Sequence, residues 1–181
     1  MPYRDIVTFA PLVVLLVWAA ATDVRARRIP NWLTLPMVVT GLAHSLLASS
    51  HGGVWGSLAG VAAGFGLTFA MFALGAMGGG DVKLFAGIGA WLGPAGVFYV
   101  FLVETVLGMV IVLAQAAWGG RLRALFRGSA LVVMNAAATG DLSAPPDDPG
   151  ERAVHKRLPF AVPTLAAVLL VLWSGVSGRW V

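Results

Sequence analysis

Long apolar runs dominate this chain, and very few charges interrupt them. Six such segments are drawn, at about 6–22, 32–48, 54–77, 82–92, 95–118 and 159–176. A span of the hydrocarbon core needs about 20 predominantly apolar residues in a helix. Charged residues make up only 11 % of the 181, and hydrophobic ones 59 %. A soluble domain carries about 25 % charged residues, so this chain has too little polar surface to face water all round. The mean hydropathy of +0.86 agrees. The expectation is an all-α integral membrane protein, a bundle of about six transmembrane helices forming a single domain over 1–181. The first run follows Arg4 and Asp5 without a small-residue cleavage site, and is read as a retained span rather than a signal peptide.

The basic residues set an expected orientation. Nine of the 12 Lys and Arg fall in two loops: Arg25, Arg27 and Arg28 in the first, and Arg121, Arg123, Arg127, Arg152, Lys156 and Arg157 in the last. With six spans both loops lie on one side, which the positive-inside tendency makes cytoplasmic. Both termini then lie on the other side of a multi-pass protein. The net charge of +4 is accounted for by basic loops held against anionic lipid, so lipid is an expected partner and nucleic acid is not. Within the loop 119–158, residues 121–134 read as an amphipathic surface helix and 143–150 as an exposed turn-rich stretch.

There is no cysteine, which removes disulfides, thiolate nucleophiles and cysteine metal sites. His44, His51 and His155 lack ligand spacing. No metal and no cofactor are expected.

Ionisable groups within a membrane are costly and mark function. Four qualify: Asp23, Asp81, Lys83 and Glu104. Asp23 ends the first segment going in, and Asp81 begins the fourth going out. Though 58 residues apart, they come to the same face and a similar depth. The bland reading pairs Asp23 with Arg27 one turn on, and makes Asp81 the N-cap of its helix. Pro30-Asn31 reads as a turn with Asn31 capping the second segment. The triplet Gly78-Gly79-Gly80 before Asp81 is more specific, because glycine lets another backbone approach closely. From Asp81 to Gly93 a helix rises only about 18 Å. Against a core of about 30 Å, and with Gly93-Pro94 near the outer surface, Asp81 starts below the inner one and water must reach it through a cavity; the alternative is a fourth helix that runs through Pro94 with a kink.

Two adjacent carboxylates do not easily both ionise, and they share a proton. The ionised member draws a proton from water as it attacks a peptide carbonyl. The protonated one gives its proton to the carbonyl oxygen or the leaving amine. The pair titrates as a unit, so base and acid are not assigned individually. Lys83 lies two residues from Asp81, and on a regular helix the two face apart. It is read either as a charge-balancing or substrate-contacting group or as a snorkelling side chain. Glu104 is read as structural, paired with Lys83 or protonated and hydrogen-bonded. Gly56, Gly60 and Gly64 repeat at four-residue spacing, a pattern for close helix packing.

Two motifs carry a resemblance. The stretch Asp23-Val24-Arg25 followed by Ile29-Pro30-Asn31 resembles the first aspartate motif of type IV prepilin peptidases, and Gly78-Gly79-Gly80-Asp81-Val82-Lys83-Leu84 resembles their Gly-x-Gly-Asp motif. Pro159-Phe160 is similar, more loosely, to the Pro-aromatic opening of the family's last span. The resemblance implies an aspartic endopeptidase that removes the leader of prepilin or pseudopilin precursors at the cytoplasmic membrane face. Asp23 and Asp81 match the catalytic pair. Gly78, Gly79, Gly80, Lys83, Arg25, Pro30, Asn31, Pro159 and Phe160 are then supporting or substrate-binding. Bifunctional members carry a cysteine tetrad and also N-methylate the product. This chain resembles the short form of tight-adherence (Flp-type) pilus systems, so no methyltransferase activity is expected. Competing readings are an ion- or proton-coupled transporter and a silent scaffold of a pilus machine. Against transport, both aspartates sit at one face rather than the midplane, and no inverted repeat is visible.

Overall fold

The computed structural model describes residues 8–26, 29–48, 52–74, 77–120, 122, 123, 127, 130, 134 and 160–174. Most of the expected surface helix 121–134, the loop 143–150, Arg27, Arg28 and Pro159 lie outside the described residues. Nearly all the described residues are helical, in α1 (Ala10–Ala26), α2 (Asn31–Ala48), α3 (Gly53–Ala73), α4 (Gly79–Trp118) and α5 (Ala161–Trp173). The chain divides into two compact units, 1–105 with 159–181 and 106–158. In the first unit α1 packs along α5 and α2, and α2 along α3. In the second, the end of α4 leaves Met109, Val110 and Trp118 exposed and Ala116 buried.

The first unit is apolar outside and buries several polar side chains within an apolar core. Trp18, Trp32, Leu35, Leu47, Trp55 and Phe72 stand exposed, while Asp23, Thr34, Ser45, Ser57, Thr68, Asp81, Glu104 and Thr164 are buried. Water would select the opposite arrangement, and hydrocarbon selects this one. Two helices, α3 and α4, are long and apolar enough to cross a membrane by length and composition, with mean hydropathies of 1.6 and 2.5. The hydroxyls need no water: Thr68 donates to the Gly64 carbonyl at 2.6 Å, and Thr164 to that of Phe160 at 2.8 Å.

α4 is two limbs, 79–92 and 94–118. Gly93 (φ 69°, ψ −179°) interrupts it in a conformation that side-chain-bearing residues rarely adopt. Pro94 follows, and a residue before proline is driven away from helical angles. The break reverses the chain. Phe85 and Phe101 meet edge to face with ring centroids 6.0 Å apart, although a continuous helix would separate them by about 24 Å. As far as residue 105 the two limbs therefore run antiparallel.

The first limb is the core of the unit, with Leu84, Phe85, Ile88 and Trp91 all buried. Glycines let α3 press against it. A methyl at Gly60 would overlap the Gly89 carbonyl, one at Gly89 would overlap that of Gly60, and one at Gly64 would overlap that of Phe85. The four-residue glycine repeat is thus a packing surface at Gly60 and Gly64. Two buried hydrogen bonds cross this core. Ser57 donates to the Ala90 carbonyl at 2.6 Å, and the Trp91 Nε1–H to the Met37 carbonyl at 3.0 Å. Trp91 also stacks on His44 and tilts against Phe9, closing the end of the unit near Gly93.

Candidate active site

The opposite end of the limb 79–92 carries the two aspartate motifs. Helix α1 does not stop at Asp23 but continues one turn to Ala26, so Asp23 is a helical residue facing inward, 8 % exposed. It tolerates burial because it has a partner far along the chain. Its Oδ2 accepts the backbone N–H of Ala161 at 3.1 Å. Ala161 is the first residue of α5, and the first N–H groups of a helix lack intrahelical acceptors. An anion at that end is favoured by the helix dipole as well. Asp23 therefore caps the last helix from outside it. The N-cap position itself, Phe160, makes no side-chain cap and is partly exposed.

Asp81 is equally buried, and it is the third residue of α4 rather than the N-cap. Its Oδ2 reaches back to accept the Gly78 N–H at 3.2 Å, while the Asp81 N–H donates to the Gly78 carbonyl at 3.1 Å. This is half of the reciprocal capping pattern, the third helical residue capping the residue before the helix, with a backbone carbonyl in place of the side chain that glycine lacks. The carboxylates of Asp23 and Asp81 lie within Coulombic reach of each other, and Glu104 within reach of Asp81. Among the described residues no group of His, Asp and Glu is arranged to hold a metal ion.

The glycines have identifiable neighbours. A Cβ at Gly80 would come within 3.3 Å of the Ile29 Cβ, one at Gly78 within 3.0 Å of the Asp81 carboxylate, and one at Gly79 within 3.5 Å of the Phe72 ring. The backbone that closes on Gly80 is thus the chain's own first motif. Asn31, expected as a cap, is the first residue of α2, and its Oδ1 accepts the Lys83 ammonium at 2.7 Å. Lys83 is therefore engaged with Asn31, away from both aspartates. The Leu33 N–H bonds the Pro30 carbonyl and starts α2. Arg25 is exposed in the last turn of α1. Beside the Asn31–Lys83 contact lies a groove of about 450 Å³, walled by Trp32, Leu35, Val38, Phe65 and Ala86.

The sequence did not foretell the bond between Asp23 and Ala161. Its only trace was the Pro159-Phe160 opening, which marks where a helix begins and hence where unpaired N–H groups arise.

The site so defined is a helical bundle with an inward-facing acid pair, each acid fixed to a backbone amide. A family model described as the type IV leader peptidase family matches residues 10–113, and the chain belongs to that family. A prepilin leader peptidase/N-methyltransferase from Burkholderia pseudomallei is 34 % identical over 110 residues, covering 58 % of this chain and 35 % of that protein. A protein of the same name from Xanthomonas campestris is 31 % identical over 103 residues, covering 53 % of this chain and 36 % of its own length. The chain thus matches about a third of the length of these curated relatives. No solved structure matches it significantly.

Proposed function

We propose that this chain is an intramembrane aspartic endopeptidase that removes the leader of prepilin or prepilin-like precursors. The observation that carries the reading is the pairing of two buried carboxylates, Asp23 and Asp81, within Coulombic reach of one another. Family membership and the relatives' names support the substrate class. In each aspartate Oδ2 is committed to a backbone amide, which fixes the carboxyl plane and leaves Oδ1 for the reaction. The pair holds one proton. Its ionised member takes a proton from water as the water oxygen attacks the scissile carbonyl. Its protonated member then passes its proton to the leaving amine. The apolar groove beside Lys83 is assigned to the hydrophobic segment that follows the leader.

The membrane arrangement is part of the proposal: six spans, both termini on the non-cytoplasmic side, and the acid pair at the cytoplasmic edge of a bacterial inner membrane. The exposed apolar exterior and the charge pattern of the loops support it. So is the expectation that the chain does not methylate its product, which rests on the lack of cysteine. A methylated product dependent on this chain alone would overturn that part.

The test is co-expression with a candidate prepilin panel, following leader removal on a gel for the wild type, Asp23→Asn and Asp81→Asn. Asparagine preserves shape and removes the shared proton. Cleavage by the wild type and none by either variant, at equal membrane insertion, is the expected result. Cleavage by both variants at the wild-type rate would sink the paired-carboxylate mechanism.

A further inference from the structure

We propose that Glu104 is a third, positioning carboxyl of the reaction centre, one that keeps its proton and presents it to Asp81. The inference rests on the peptidase reading above and adds a residue that neither aspartate motif contains.

The placement follows from the reversal at Gly93. Phe85 and Phe101 stand eight residues to either side of Gly93 and are in contact. Asp81 is four residues before Phe85, and Glu104 three residues after Phe101. Each is one helical turn further from the bend, on the same face of its limb as the phenylalanine that makes the contact. Asp81 lies 12 residues before the bend and Glu104 11 after it, so their levels along the antiparallel limbs differ by only about 1.5 Å. Glu104 is 2 % exposed, and Asp81 lies within its Coulombic reach.

A carboxylate buried that deeply is expensive unless a cation meets it. Among the described residues none is offered. Lys83 is held by Asn31, and Arg25 is exposed at the end of α1. Helices α3 and α5 contain no titratable residue, and His44, the one titratable group of α2, stacks on Trp91 at the far end of the unit. From α1 the group that faces this region is Asp23, another carboxylate. With acids as its charged neighbours, Glu104 is stable as the neutral acid. A neutral carboxyl is a hydrogen-bond donor, and a donor opposite Asp81 orients the carboxylate while adding no charge to the pair. Glu104 acts through Asp81 and touches no substrate.

The test compares wild type, Glu104→Gln, Glu104→Leu and Asp81→Asn of the full chain in membranes, following cleavage of a prepilin from about pH 7 to about pH 9. Glutamine keeps the shape and a donor but has no proton to lose. Near neutrality Glu104→Gln should cut within about threefold of wild type. Glu104→Leu should lose about tenfold or more, mainly in kcat, as expected for removal of one aligned donor. Toward alkaline pH the wild type should fall about tenfold further than Glu104→Gln, because only the glutamate has a proton to lose. A merely structural role would leave the two pH profiles parallel, and that outcome overturns the proposal. So does a glutamine variant as impaired as the leucine one. If the leucine variant does not accumulate, the glutamine comparison decides alone. An active wild type with an inactive Asp81→Asn keeps the peptidase reading whatever Glu104 does. An Asp81→Asn variant that cuts normally removes both.

Discussion

The ammonium of Lys83 donates to the amide oxygen of Asn31 at 2.7 Å, joining the second aspartate motif to the end of the first. One turn nearer the aspartates, Ile29 seats against Gly80. These two contacts hold residues 29–31 against the start of α4. The motif residues around the aspartates therefore act on the geometry of the pair. The pair contact is exposed, so its strength is modest. Asn31→Ala and Lys83→Met should each lower cleavage about three- to tenfold at unchanged insertion. The double variant should be no worse than the poorer single one, a coupling of about 1 kcal/mol. Fully additive losses in the double-mutant cycle would show that the two side chains act separately.

On the proposed function Asp23 carries two duties that substitution can separate. Asparagine retains an oxygen for the Ala161 N–H, and alanine does not. Asp23→Asn should abolish cleavage with little change in thermal stability in detergent. Asp23→Ala should abolish cleavage and also destabilise by about 1–2 kcal/mol, the usual cost of a lost helix cap. Equal unfolding temperatures for the two variants would mean that the bond to Ala161 is not stabilising.

The glycines of α3 make an internal control. Gly60 faces the Gly89 carbonyl with no room for a methyl, whereas Gly66 has nothing within 4 Å of where a Cβ would stand. Gly60→Ala should force the helices apart and cost about 3 kcal/mol or more, with cleavage lost alongside. Gly66→Ala should be neutral or stabilising by up to about 1 kcal/mol through helix propensity. Thermal unfolding of the purified variants measures both, and a harmless Gly60→Ala would contradict the packing described here.

Trp91→Phe keeps a buried ring and removes one N–H. The Met37 carbonyl then loses the donor that reaches it from another helix, and the expected loss is about 1–2 kcal/mol. Activity should survive, because Trp91 lies at the end of the unit away from the aspartates. Loss of cleavage in a stably inserted Trp91→Phe would show the two ends to be coupled.

How much of this was legible follows from the range of each interaction. The helical character is written in composition, because hydrocarbon leaves the backbone few other ways to satisfy its hydrogen bonds. The two aspartates stood out because charge in such segments is rare, and a topology argument brought them to one face. What could not be read were the partners. Asn31 looks like a cap by local rules, yet its oxygen is taken by Lys83, 52 residues on. Asp23 looks like the end of a span, yet α1 continues past it because Ala161 supplies a donor 138 residues away. Such contacts depend on how each helix is rotated about its axis, and periodicity in a run apolar on every side says little about rotation. The Gly93 reversal sat in plain view in Gly93-Pro94. Its consequence, Glu104 opposite Asp81, emerges only once the limbs are set in register by Phe85 and Phe101.

The bond from Asp23 to the first amide of α5 ties the carboxyl proposed to react to the attachment of the final helix. Anything that draws that carboxyl toward itself, including a peptide in the course of being cut, competes with the amide for its negative charge. A step that uses only the other oxygen leaves the last helix attached, and one that draws on both loosens it. Turnover and the opening of the bundle along the seam between α1 and α5 would share a single latch, released from the inside.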